Sequence, residues 1–145
     1  PFDSFFYPGD TWSLRRQLAW IDQELKGLPK TTPTFVFLNI GETHVPYWHE
    51  EATWPREPSP CVPFEGRRNS RRRCRQQQRG CLEWVDQELA PLLARYKDHT
   101  MLVCADHGDC WGEDGLWEHG VSHWATLTVP LLMRTRGVPV KAQAS

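Results

Sequence analysis

The sequence has no apolar stretch near the roughly 20 residues that a membrane helix needs, so a helical membrane span is not expected. It has no C-x-x-C pair. Its five cysteines (Cys61, Cys74, Cys81, Cys104 and Cys110) are odd in number and irregularly spaced. That pattern speaks against a ribbon-type zinc site and against a disulfide framework. We expect reduced thiols and, with them, a cytoplasmic setting. No internal repeat of solenoid type and no signal peptide is legible. The chain begins with Pro rather than Met, and we expect its natural start to lie further upstream.

What is present is the composition of a globular domain. The 145 residues are 39% hydrophobic and 24% charged, enough for one domain with a real core. The formal net charge of −1 is unevenly spread. Residues 66–80 hold seven of the 17 basic residues and no acid, leaving ten basic against 18 acidic groups elsewhere. An arginine run can contact nucleic acid or anionic surfaces. No aromatics interleave this one and no recognised module surrounds it, so a solvated insert is the plainer reading. We take residues 48–80 as loop or insert and residues 1–145 as a single domain.

Periodicity supplies the elements. Leu14, Leu18, Ile21 and Leu25 recur at helical steps within 12–26, with Asp10 or Thr11 as cap candidates and Gly27 as the stop. A second helix is expected from Gly80, with Leu82, Val85, Leu89, Leu92 and Leu93 as its stripe and a kink or break at Pro91. Residues 34–40 and 100–105 are nearly all apolar, as in strands buried on both faces. A third short apolar strand closes the pattern at 128–133. The order predicts an α/β fold with a mostly parallel sheet flanked by helices. Ligands in such sheets sit beyond the carboxyl ends of the strands, where His44, Asp106 and His107 fall.

The richest segment is Val103-Cys104-Ala105-Asp106-His107-Gly108-Asp109, followed by Gly112-Glu113-Asp114-Gly115-Leu116-Trp117-Glu118-His119-Gly120. Asp106 and His107 offer a carboxylate oxygen and an imidazole nitrogen, a pair that suits zinc or manganese and suits calcium less well. Neighbours in a strand point to opposite faces, so both can meet one ion only where the strand ends and the chain turns. Gly108 permits that turn. Read alone, the same residues also fit an Asp-His-Gly turn. His44, in a loop stiffened by Pro46, and His119, in a Gly-rich loop, can each donate to an oxyanion or protonate a leaving group. His123 reads as a supporting histidine, Glu113 and Asp114 as loop carboxylates, Asp109 as part of the turn. The stretch Cys61-Val62-Pro63-Phe64-Glu65 has the look of a catalytic cysteine loop without its basic partner, and we take it as chance. Five of the eight tryptophans (Trp48, Trp54, Trp111, Trp117, Trp124) flank the proposed site, either walling a pocket or packing a core.

Two blocks resemble the sulfatase-like branch of the alkaline phosphatase superfamily. Residues 35–47 are similar to that family's strand followed by a His-x-Pro-Tyr loop. Residues 101–133 are similar to its strand, Asp-His-Gly turn, Gly-Glu-x-Gly-Leu loop and closing Val-Pro-Leu strand. The helix at 81–96 resembles the one between those blocks. The resemblance spans about residues 12–136 and implies a partial domain of that family.

It also implies roles. Asp106 and His107 would bind a divalent metal ion (zinc, manganese or calcium). His44 and His119 would contact phosphoryl or sulfuryl oxygens. Sulfatases usually carry lysine near position 119; histidine there resembles phosphoethanolamine- and glycerophosphate-transferring relatives and tilts the substrate towards phosphate esters. The family's acidic first strand and its Ser, Thr or Cys nucleophile have no counterpart before His44. The expectation is therefore a portion of a metal-dependent hydrolase or transferase acting on a small-molecule phosphate or sulfate ester, completed by a missing N-terminal half. The alternative is a non-catalytic, degenerate relative that binds an anion or a partner.

Overall fold

The computed structural model describes residues 2–29, 31–64, 67–136 and 138–139. Two helices, α1 (Leu14–Lys26) and α2 (Arg71–Arg95), precede a run of short elements. These are β1 (Met101–Cys104), β2 (Cys110–Trp111), a 3₁₀ turn (Glu113–Gly115), β3 (Trp117–Glu118), α3 (Trp124–Leu127), β4 (Leu131–Thr135) and β5 (Val138–Pro139).

The sequence periodicity of α1 holds: Leu14 and Ile21 are buried. Its cap comes from elsewhere than expected. Asp10 instead accepts the Trp12 N–H at 3.3 Å and pairs with Arg16. The first free amide of the helix, Leu14 N–H, donates to Glu42 Oε1 at 2.8 Å. A carboxylate at a helix N-terminus satisfies an orphan donor and faces the positive end of the helix dipole. The loop bearing His44 is thereby tied to α1.

Most of the arginine run is not loop, although Arg67 and Arg68 lie in a turn before the helix. Residues 71–80 form the first turns of α2, whose Ser70 hydroxyl accepts the Arg73 N–H at 3.3 Å. Its inward positions are Cys74, Gln77, Cys81, Trp84, Val85 and Leu89. Cysteine behaves as a small apolar group in such a stripe, which is why the leucine pattern alone missed its first half. Leu82 lies outside the stripe and is 59% exposed. Pro91 sits inside one continuous helix, so the expected break is absent.

The core has two parts. Leu14, Trp84, Val85 and Leu89 pack between α1 and α2, flanked by Leu38 and Ile40. Tyr47, Cys61, Cys74 and Cys81 form the second, under Trp54, Trp111 and Trp117. Three of the flanking tryptophans thus pack a core instead of walling a pocket. All five cysteines are free thiols.

The expectation of a mostly parallel sheet flanked by helices is overturned. β1, β4 and β5 make a three-stranded sheet in that order, with Leu102 opposite Met133 and Val103 opposite Leu132, antiparallel throughout. β2 and β3 form a separate antiparallel pair. Residues 34–40 form no strand, and Phe35 and Phe37 are 75% and 68% exposed. The expected burial of both strand faces also fails, since Leu102, Leu131 and Leu132 are exposed; apolar content fixes neither burial nor strand direction, and the connection decides the latter. Parallel neighbours need a crossover that packs back over the sheet. The chain between β1 and β4 is instead a hairpin and a one-turn helix, so it returns antiparallel.

Candidate metal centre

β1 ends at Cys104, and the chain turns through Asp106, His107 and Gly108. The turn is pinned by the Gly108 N–H, which donates to Thr126 O at 2.9 Å. Gly108 is needed for space and not for an unusual φ: a Cβ there would meet the Ala125 carbonyl oxygen at 2.1 Å. The β2–β3 register pairs Cys110 with Glu118. One step further out, Asp109 and His119 face each other across the mouth of the hairpin, and His119 Nδ1 lies 2.7 Å from Asp109 Oδ1.

Three histidines converge here. His44, His107 and His119 each offer one ring nitrogen, all within 4.8 Å of one another. The His107 and His119 ring centroids are 4.1 Å apart, and His44 lies 4.9 Å from His119 and 6.0 Å from His107. The hydrogen bonds of these rings define their tautomers. His44 Nδ1 is 2.7 Å from the Val45 carbonyl oxygen and His107 Nδ1 is 3.0 Å from that of Gly108. A carbonyl only accepts, so both rings carry their proton on Nδ1. In the neutral ring the remaining nitrogen, Nε2, carries the lone pair.

Asp106 is placed differently. Its side chain is 86% exposed and lies outside the three-nitrogen cluster. Oδ1 accepts the His107 backbone N–H at 3.1 Å and is 3.9 Å from His107 Nε2. The adjacent Asp–His pair expected from sequence is therefore one histidine of a three-imidazole group with an outlying carboxylate.

Asp109, read from sequence as a turn residue, is nearly buried, its side chain 5% exposed. Its second oxygen accepts the Tyr47 hydroxyl at 2.7 Å, and the Tyr47 oxygen accepts the Trp111 indole N–H at 2.9 Å. Tyr47 is fully buried, and burial next to Asp109 pushes its hydroxyl well above the usual phenol range, so it keeps its proton. The 41–47 loop and the β2–β3 hairpin are locked together through this contact.

His123 is structural. Its Nδ1 accepts the Ala125 N–H at 3.1 Å as the cap of α3, and Nε2 lies 3.2 Å from Asp114 Oδ2. The buried Cys110 thiol sits 3.3 Å from the same Nδ1. Glu113 accepts the Trp111 N–H and pairs with Arg71 at 3.0 Å, which makes it a loop carboxylate. Cys61 is fully buried, and its hydrogen bond with the Cys74 thiol, then burial, raises its thiol pKa, the reverse of an activated nucleophile. Glu65, of the same stretch, lies outside the described residues.

Comparison of the chain with protein-family models, with curated proteins and with solved structures returns no match in any of the three.

Proposed function

We propose that this chain carries the histidine-rich portion of a metal-dependent hydrolase or transferase acting on small phosphate or sulfate esters. One observation supports the reading above others: three imidazoles converge, and two of them are held by main-chain carbonyls with Nε2 left bare. A donor set of three nitrogens suits zinc and, next, manganese; calcium takes six to eight oxygens and fits it poorly. Asp106 is exposed, with Oδ1 3.9 Å from His107 Nε2, and its carboxylate would be a fourth, weaker ligand. The sequence resemblance to sulfatase-like enzymes supports the ester class. A divalent ion held there supplies Lewis-acid polarisation of the ester oxygen. The residues themselves hold and orient: the main-chain anchors fix each ring, and His44, the exposed member, faces arriving substrate. These side chains include no hydroxyl or thiol nucleophile, so the attacking group comes from outside this set.

Zinc titration of the purified chain by calorimetry, in parallel with turnover of aryl phosphate, phosphodiester and aryl sulfate with and without chelator, tests the proposal. Alanine at His44, His107 or His119 should each weaken zinc binding strongly, and Asp106→Ala should weaken it less. Loss of uptake in Asp106→Ala alone, with the histidine variants unaffected, would overturn the three-imidazole assignment. Tight zinc binding without turnover of any ester would favour the non-catalytic alternative.

A further inference from the structure

We infer that Asp109 is the positioning residue of the site: with Tyr47 and Trp111 behind it, it dictates which nitrogen His119 presents. The inference rests on the reading of His119 as a ligand, but its first test does not need a metal.

The proton positions follow from what each group can do. The Trp111 indole can only donate. Its N–H reaches the Tyr47 oxygen, so the Tyr47 hydroxyl spends its single proton on Asp109 Oδ2. Asp109 Oδ1 then faces His119 Nδ1 at 2.7 Å with nothing to donate, and the imidazole must supply the proton. His119 is thereby fixed with hydrogen on Nδ1 and a lone pair on Nε2, the state already imposed on His44 and His107 by carbonyl oxygens. All three rings share one tautomer. For His119 alone the anchor is a side chain, and that side chain is set by the buried Tyr47 and the half-buried Trp111. Carboxylate-to-histidine contacts of this kind orient ligands and raise their basicity.

Asp109→Asn makes a distinctive test. Tyr47 still needs an acceptor, which draws the amide oxygen to the Oδ2 position. The amide NH₂ then faces His119 Nδ1, which must accept, and the proton moves to Nε2. An amide in place of the carboxylate of a serine-protease triad has the same effect, the wrong tautomer. A merely structural Asp109 would leave the tautomer unchanged.

The experiment reads the two nitrogens of His119 by long-range proton–nitrogen correlation on labelled, metal-free protein above the imidazole titration range. The wild-type chain should show hydrogen on Nδ1. Tyr47→Phe should preserve it, because Asp109 remains an acceptor. Asp109→Asn should move it to Nε2 and lower zinc affinity by about 10- to 100-fold. A wild-type His119 protonated on Nε2 would overturn the inference even if Asp109→Asn fails to fold. So would an Asp109→Asn chain that folds and keeps the wild-type tautomer. If the wild-type tautomer is as described but no divalent ion binds, the metal reading fails and the relay stands. If zinc binds and the tautomer is wrong, the reverse holds.

Discussion

Gly108 shows how little freedom single positions have near the histidines. A methyl group there would collide with the Ala125 carbonyl, a backbone atom that cannot swing aside. Gly108→Ala should cost about 1–3 kcal/mol, the usual range for overpacking, and should weaken zinc binding, since His107 and Asp109 flank the displaced residue. Chemical denaturation and calorimetry on the same variant check both effects. His44 and His107 drew attention because each follows an apolar run, and His119 because it lies in a Gly-rich loop that the resemblance also covers. Asp106 drew attention by adjacency to His107, yet a backbone turn sends the two side chains to different surroundings. Asp109 was not legible as an isolated letter. Its signal lay in the hairpin register, which brings 109 opposite 119, and in Tyr47, a residue 62 positions away.

At the scale of elements, α1 and α2 are joined by charge as well as by leucines. Arg15 reaches Glu88 through two bonds of 2.8 and 2.7 Å, touches Glu50 and Glu51, and lies over the Trp84 ring. Asp22 pairs with Lys26 and with Arg95 of α2. The Arg15 guanidinium holds Glu51 and Glu88 below the usual carboxylate range, and Lys26, then Arg95, do the same for Asp22. Depressed carboxylates contribute stability that is complete above their unfolded pKa values and fades as pH falls through the lower folded ones. The melting temperature should therefore decline below about pH 4, where free carboxylates titrate. The contribution should shrink at high salt, because these groups are exposed or half-buried and reached by solvent ions. Thermal scans across pH at low and high salt would show it; a flat acid limb would remove the charge clamp from the account. Leucine spacing disclosed α1 fully and the second half of α2. The first half stayed hidden because arginine and glutamine fill the outer positions and Cys74, Gln77 and Cys81 the inner ones.

For the whole molecule, the apolar strands are the feature with the widest consequence. Leu102, Leu131 and Leu132 are 59%, 57% and 60% exposed, and Phe35 and Phe37 are similarly open. An uncovered antiparallel sheet with bare leucines favours association. Leu132→Lys should raise solubility with little change in melting temperature, as surface substitutions usually do, and light scattering against concentration would register it. Lower solubility in that variant would count against the exposed face as the cause. The two long helices were visible in the periodic segments, but the expected α/β arrangement was not what formed. Strand direction was not visible, because identical apolar runs serve either arrangement and the deciding connection, 105–130, carries no helical period of its own.

His44 lies upstream of α2, and His107 and His119 lie beyond β1. A cation gripped by all three would close a ring of chain that contains the whole of the long helix. It would serve as a removable rivet between two stretches that also meet where Tyr47 bonds Asp109 and Trp111, so that withdrawing it would loosen the joint that holds the three imidazoles together.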